Sequence, residues 1–116
     1  MTKEDKKTLL YEICARLPFG VYCKKGEKVR KIIGVNFADK YPIVVDNGDY
    51  IPNNYLVDEI KLLLRPMNDM TEDELHEWAY GVIREGASEK MRWIYEHGFD
   101  YNYLIDKGLA EKFVKS

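Results

Sequence analysis

The chain has 116 residues, of which 46% are hydrophobic and 33% charged, with a formal net charge of −2. A chain of that length buries roughly 65% of its unfolded surface, so it needs neither a disulfide framework nor a structural metal to fold. The balance excludes a disordered chain, and no run approaches the ~20 apolar residues that cross a bilayer.

The opening Met1-Thr2-Lys3-Glu4-Asp5-Lys6-Lys7 is charged and lacks the apolar run of a signal peptide, so the expected compartment is the cytosol, with no membrane partner. The first predicted element is a helix from about Lys3 to Arg16. Thr2 and Asp5 have capping-box spacing. Leu10, Ile13, Cys14 and Leu17 follow helical spacing and predict one buried stripe. Pro18 ends the helix, because the residue before proline disfavours helical backbone.

Strands are expected next. Val21-Tyr22-Cys23 leads into a charged turn over Lys24 to Lys28, and Val29 to Phe37 is rich in β-branched residues. Ile43-Val44-Val45 and Tyr50-Ile51 flank Asp46-Asn47-Gly48-Asp49, which predicts a tight hairpin at Asn47-Gly48. Pro42 and Pro52 mark strand ends, since proline cannot donate to a ladder. Asn53-Asn54 reads as a turn presenting Tyr55. Ile60 to Leu64 is a last strand or a short helix, and closing a barrel favours the strand.

Thr71-Glu72-Asp73-Glu74 starts a second helix with a capping threonine and acids in the first turn. Leu75, Trp78, Ala79, Val82 and Ile83 make its apolar face, and Gly86 ends it. Ser88 caps another helix, with Met91, Ile94 and Tyr95 inward and Gly98 closing it. Asp100 caps a third, closed by Gly108. Gly98-Phe99 and Gly108-Leu109 both have the glycine-then-hydrophobe form of a Schellman ending. The expected fold is α+β and one compact unit. It comprises an N-terminal helix (1–17), a five-stranded β-barrel (18–66) and two to three short helices packed on it (67–116).

Catalytic and metal motifs are not expected. Cys14 and Cys23 are too far apart for a Cys-x-x-Cys motif and read as buried free thiols. His76-Glu77-Trp78-Ala79-Tyr80 begins like a zinc-protease helix, but tyrosine stands where the second histidine must be. His97 falls in a last helical turn, where it complements the dipole. Ser88 reads as a cap, and the glycines are too isolated for a phosphate loop. No catalytic residue, metal or cofactor is therefore assigned.

Two binding features remain. Residues 24–31 carry five positive charges and one negative. Lys28 and Arg30, with Lys24, are expected on one face of a hairpin, and Lys24, Lys25, Lys28, Arg30 and Lys31 form a candidate anion or nucleic-acid site. Lysines there also discourage edge-to-edge strand pairing. The second feature is the set of nine tyrosines. Tyr41, Tyr50 and Tyr55 gather near Pro42 and Pro52, and Tyr41, Tyr50, Pro52 and Tyr55 form a candidate peptide or protein site. The leading expectation is a non-enzymatic interaction module with an unknown protein partner. Nucleic-acid association through 24–31 is second. A small enzyme built around His76, His97 or a cysteine is third.

Gly48-Asp49-Tyr50-Ile51-Pro52-Asn53-Asn54-Tyr55-Leu56-Val57 resembles the Gly-x-Ile-Pro-x-Asn-Tyr-Val signature of Src-homology-3 domains. The resemblance implies a Src-homology-3-like barrel in which a single helical turn joins the last two strands. It also implies that Pro52 and Tyr55 line a groove for proline-rich peptides. Both tryptophans lie beyond residue 77 and the 24–31 loop is basic, so the likeness speaks for the fold more than for that ligand. A broader likeness rests on Leu17-Pro18-Phe19-Gly20-Val21, Leu64-Arg65-Pro66-Met67 and Phe99-Asp100-Tyr101. With these, the chain is similar to uncharacterised short proteins of gut anaerobes and their phages or mobile elements. That likeness implies an accessory role in bacteria.

Overall fold

The computed structural model describes residues 1–48, 51–81 and 87–113. Its first helix grows from Thr2. The Thr2 hydroxyl accepts from the Asp5 amide at 3.1 Å, and the Asp5 carboxylate accepts from the Thr2 amide at 3.3 Å, so the predicted capping box forms. Helix α1, Lys3–Arg16, buries Leu9, Glu12, Ile13 and Arg16. The expected stripe is thus displaced around the helix: Leu10 and Leu17 are only partly covered and Cys14 is exposed. The reason is an ion pair that hydropathy does not detect. Arg16 Nε and Nη2 both donate to Glu12 Oε2 at 3.1 Å, and Nη2 also donates to the Phe99 carbonyl at 2.8 Å. Charges satisfied in this way can face inward.

Strands β1 (Val21–Lys25) and β2 (Lys28–Val35) form a hairpin across Gly26-Glu27. Gly26 has φ 60°, a left-handed conformation that costs glycine no Cβ clash and suits the first position of a type II′ turn. Strand β3 (Ile43–Val45) pairs with β2 across a bulge between Ile32 and Gly34. Strand β4 is Asn53–Tyr55, paired with β3 so that Tyr55 faces Ile43 and Asn53 faces Val45. Of the strand expected at Tyr50-Ile51, Ile51 is not strand. Pro52 precedes a strand instead of ending one, and Asn53-Asn54 are strand and not turn. This register buries Ile43, Val45 and Tyr55 together, and leaves Ile51 76% exposed. Asp49 and Tyr50 lie outside the described residues.

A 3₁₀ turn, Val57–Glu59, joins β4 to β5 (Lys61–Pro66), which pairs antiparallel with β1. Residues 60–64 thus resolve mainly as strand. The closed five-stranded Src-homology-3-like barrel does not form. Closure would need β4 to reach the free edge of β5. That edge is taken by β7 (Ala110–Lys112), which pairs parallel with Leu62–Leu64, while β6 (Phe99–Asp100) pairs parallel with Arg65 and Pro66 at the end of β5. The described residues form an open, mixed, seven-stranded sheet in the order β4-β3-β2-β1-β5-β6, with β7 also on β5.

Between β5 and β6 the chain forms helix α2 (Glu72–His76), a wide π-helical turn (Glu77–Gly81) and helix α3 (Ala87–Glu96). The Thr71/Glu74 capping box forms as expected. Val82, Ile83, Gly86 and the Ser88 side chain lie outside the described residues. The third helix, expected over Asp100 to Gly108, is absent. The Asp100 carboxylate accepts from the Leu104 and Ile105 amides at 2.8 and 2.9 Å, as a cap would. However, Tyr103 adopts φ 57°, and a run of turns carries the chain into β7.

Two apolar clusters result. The larger joins Leu9 and Ile13 of α1 to Val21, Cys23, Ile32, Ile43, Leu62 and Leu64 of the sheet. The smaller is Trp93, Ile94 and Phe99, with Met67, Met70, Trp78 and Tyr95 against them. Among the described residues, no helix is long and apolar enough to cross a membrane.

Candidate functional site

Strand alternation decides which residues of the β1–β2 hairpin share a face. Val21 lies opposite Ile32, Cys23 opposite Arg30 and Lys25 opposite Lys28, and this face meets the core. Tyr22 lies opposite Lys31 and Lys24 opposite Val29, on the outward face. Strand β5 extends that face with Leu63 beside Tyr22 and Lys61 beside Lys24. Tyr22 is 40% exposed, Val29 46% and Ile33, at the bulge, 51%. Phe113 leans on Tyr22 with ring centroids 5.7 Å apart. The outward face is thus a patch of Tyr22, Val29, Ile33 and Leu63 set among Lys24, Lys31 and Lys61.

The predicted basic residues are divided by this geometry. Lys24 points outward and pairs with Glu111 at 3.4 Å, away from Lys28 and Arg30 on the other face. Lys25 pairs with Glu59 at 2.5 Å and sits 4.6 Å from the Tyr55 ring centroid. The hydrogen bond that Lys25 donates to Glu59 holds the amine protonated above the ordinary lysine range, with smaller contributions from Tyr55 and Tyr41. Arg30 Nη1 donates to the Val29 carbonyl at 2.9 Å. Lys28 and Lys31 are exposed.

The predicted tyrosine site is brought together only in part. Tyr41 and Tyr55 both lie near Lys25. Tyr41 is 40% exposed, and its carbonyl accepts from Asn54 Nδ2 at 3.2 Å. Pro52 is exposed. Tyr55, 7% exposed, belongs to the larger core and offers a partner little surface. Tyr50 lies outside the described residues.

The remaining reactive groups have structural settings. Burial pushes the Cys23 thiol up to about 11, partly offset by Arg30, so it stays protonated and a poor nucleophile. His97 Nδ1 lies 2.9 Å from the Trp93 carbonyl, and its ring stacks on Trp93 at 4.0 Å. Trp93 Nε1 in turn donates to Glu77 at 3.0 Å. No group of three or more metal-ligating side chains occurs among the described residues.

Sequence reading missed Tyr22, Val29, Ile33, Lys61 and Leu63 as a unit. The signal was present: once Val21 and Cys23 are placed inward, alternation sends Tyr22 and Lys24 out and fixes their partners on β2. The chain matches no protein-family model, no curated protein and no solved structure.

Proposed function

We propose that the protein is a non-enzymatic interaction module, an accessory protein of bacterial or phage origin, that docks a protein partner on the outward face of β1, β2 and β5. The observation that carries this reading is the exposure of Tyr22, Val29 and Ile33 on a sheet face whose opposite side is the core. Adjacent apolar residues exposed in this way on a soluble domain mark contact surfaces more often than chance exposure does. Lys31, exposed on the same face, favours a partner that carries a carboxylate beside its apolar contact. The test is capture of partners from native lysate by wild type and by the Val29→Glu/Ile33→Glu variant, both checked for folding. The reading expects a partner recovered by wild type and lost by the variant. Equal recovery by both overturns it.

A second reading, nucleic-acid association, rests on the basic hairpin of residues 24–31. It is weakened by prior commitments, of Lys24 to Glu111 and Lys25 to Glu59, which leave Lys28, Arg30 and Lys31 to carry it. It requires salt-sensitive binding that Lys28→Glu and Arg30→Glu reduce. No binding at low salt overturns it.

A further inference from the structure

The open sheet ends in a free edge at β4, which pairs with β3 alone among the described residues. Which of its backbone groups point outward follows from the ladder on the other side of β3. The Asn36 amide donates to the Pro42 carbonyl at 2.8 Å, and the Asp46 amide to the Lys31 carbonyl at 2.9 Å. Pro42, Val44 and Asp46 therefore turn their backbone groups toward β2. Ile43 and Val45 turn theirs toward β4, where they meet Tyr55 and Asn53, so Asn54 points its N–H and carbonyl away from the sheet. By the same alternation Pro52 and Leu56 also point outward. Leu56 is extended, with φ −72° and ψ 148°, and its N–H has no acceptor among the described residues. Its carbonyl is already taken by the Glu59 amide at 3.2 Å. Pro52 offers a carbonyl and no N–H. No charged residue lies between Ile51 and Val57 to discourage strand pairing. Ile51, 76% exposed, is the most exposed large apolar side chain among the described residues.

This set of groups is complementary to itself. We propose that β4 pairs antiparallel with β4 of a second copy of this chain, about a two-fold axis through Asn54. In that register each Asn54 N–H donates to the Asn54 carbonyl of the other copy, and each Leu56 N–H to the Pro52 carbonyl of the other copy. The missing N–H of Pro52 then stands opposite the Leu56 carbonyl that Glu59 already occupies, so neither leaves an unpaired group. Sliding one copy by two residues loses this match. It sets the Asn54 carbonyl against Pro52, which has no donor, or the Asn54 N–H against the engaged Leu56 carbonyl. The two-fold register also sets Asn53 opposite Tyr55 of the second copy and carries Ile51 toward its Val57, covering part of the exposed isoleucine. The pairing runs along the sheet edge and uses none of Tyr22, Val29 and Ile33, so it does not rest on the docking face.

The experiment is a dilution series of the full chain, from about 1 mM to about 10 µM, followed by NMR diffusion and amide hydrogen exchange. A ladder this short gives a small interface, so a monomer–dimer equilibrium with Kd on the order of 100 µM is expected. Exchange at the Asn54 and Leu56 amides is expected to slow as concentration rises. Charge reports the register, because Asn54 meets its own counterpart across the axis. Asn54→Lys and Asn54→Glu both give up the Asn54 Nδ2 bond to the Tyr41 carbonyl, and each is checked for folding by its amide spectrum. Alone, each is expected to dimerise at least about tenfold more weakly than wild type; mixed at low salt, they are expected to associate at least as tightly as wild type. Leu56→Pro removes the outward donor at a φ that proline adopts, and is expected to weaken the dimer at least about tenfold. The proposal is overturned if wild type stays monomeric at about 1 mM or grows beyond a dimer. It is equally overturned if the two Asn54 variants dimerise alone as well as they do mixed, or if Leu56→Pro dimerises like wild type.

Discussion

At the scale of single residues, two ion pairs behave differently because their surroundings differ. Arg65 grips Glu74 through two hydrogen bonds and lays its guanidinium 4.3 Å from the Phe99 ring centroid. The hydrogen bond from Arg65 holds the Glu74 carboxyl down at about 2, against an ordinary 4.5. A depressed carboxylate stabilises the fold fully above its unfolded value and loses that contribution as pH falls through the folded one. Urea unfolding across that acid range is therefore expected to show Glu74 contributing on the order of 1–2 kcal/mol near neutrality, fading between about pH 4.5 and pH 2, after allowance for solvent screening. Glu74→Gln is expected to flatten that part of the profile, and an unchanged profile would contradict the assignment. The Glu12–Arg16 pair is more deeply buried. Glu12→Gln strands a buried guanidinium and is expected to cost about 3–5 kcal/mol, whereas the Glu12→Leu/Arg16→Met double change costs less. A double-mutant cycle by chemical denaturation measures the difference. A double change that costs as much as the sum of the two singles would refute the coupling.

At the scale of elements, the sequence was informative where local chemistry decides and silent where distant strands compete. Both capping boxes, at Thr2/Asp5 and Thr71/Glu74, form because each uses side chains three residues apart on one chain segment. Thr2→Ala is accordingly expected to cost about 1 kcal/mol. The inward stripe of α1 was misread because Glu12 and Arg16 look like surface residues until Phe99 and Asn102 supply partners from far along the chain. Urea melts separate the two stripes: Leu9→Ala is expected to cost about 2–5 kcal/mol and Cys14→Ala almost nothing. Equal costs would restore the first stripe. The position of β4 was misread for a similar reason. Asn47-Gly48 is a strong local turn signal, but burying Tyr55 opposite Ile43 sets the register from outside the loop. The segment after Asp100 has a good helix cap and still does not make a helix, because the open edge of β5 offers Ala110–Lys112 a ladder.

At the scale of the molecule, one short strand decides both architecture and site. By occupying the edge of β5 along Leu62–Leu64, β7 keeps the sheet from closing. An open sheet has two broad faces. Helix α1 and the larger core cover one of them, and Tyr22, Val29 and Ile33 remain exposed on the other. The basic hairpin and the aromatic residues were legible in the sequence as candidate binding features. It could not indicate which aromatics stand outward, since that depends on pairings between residues as distant as Tyr22 and Leu63. The tyrosine cluster gave up Tyr55 to the core, while Tyr22, read only as part of a strand, stands at the centre of the outward patch. The most direct test is scanning photo-crosslinking in native lysate. A photoreactive side chain is placed at Val29 or Ile33, and for comparison at the exposed positions Tyr11 and Tyr80. The account predicts a discrete adduct from Val29 and Ile33 and none from Tyr11 or Tyr80. Adducts of equal yield from all four positions, or from Tyr11 and Tyr80 alone, would contradict it.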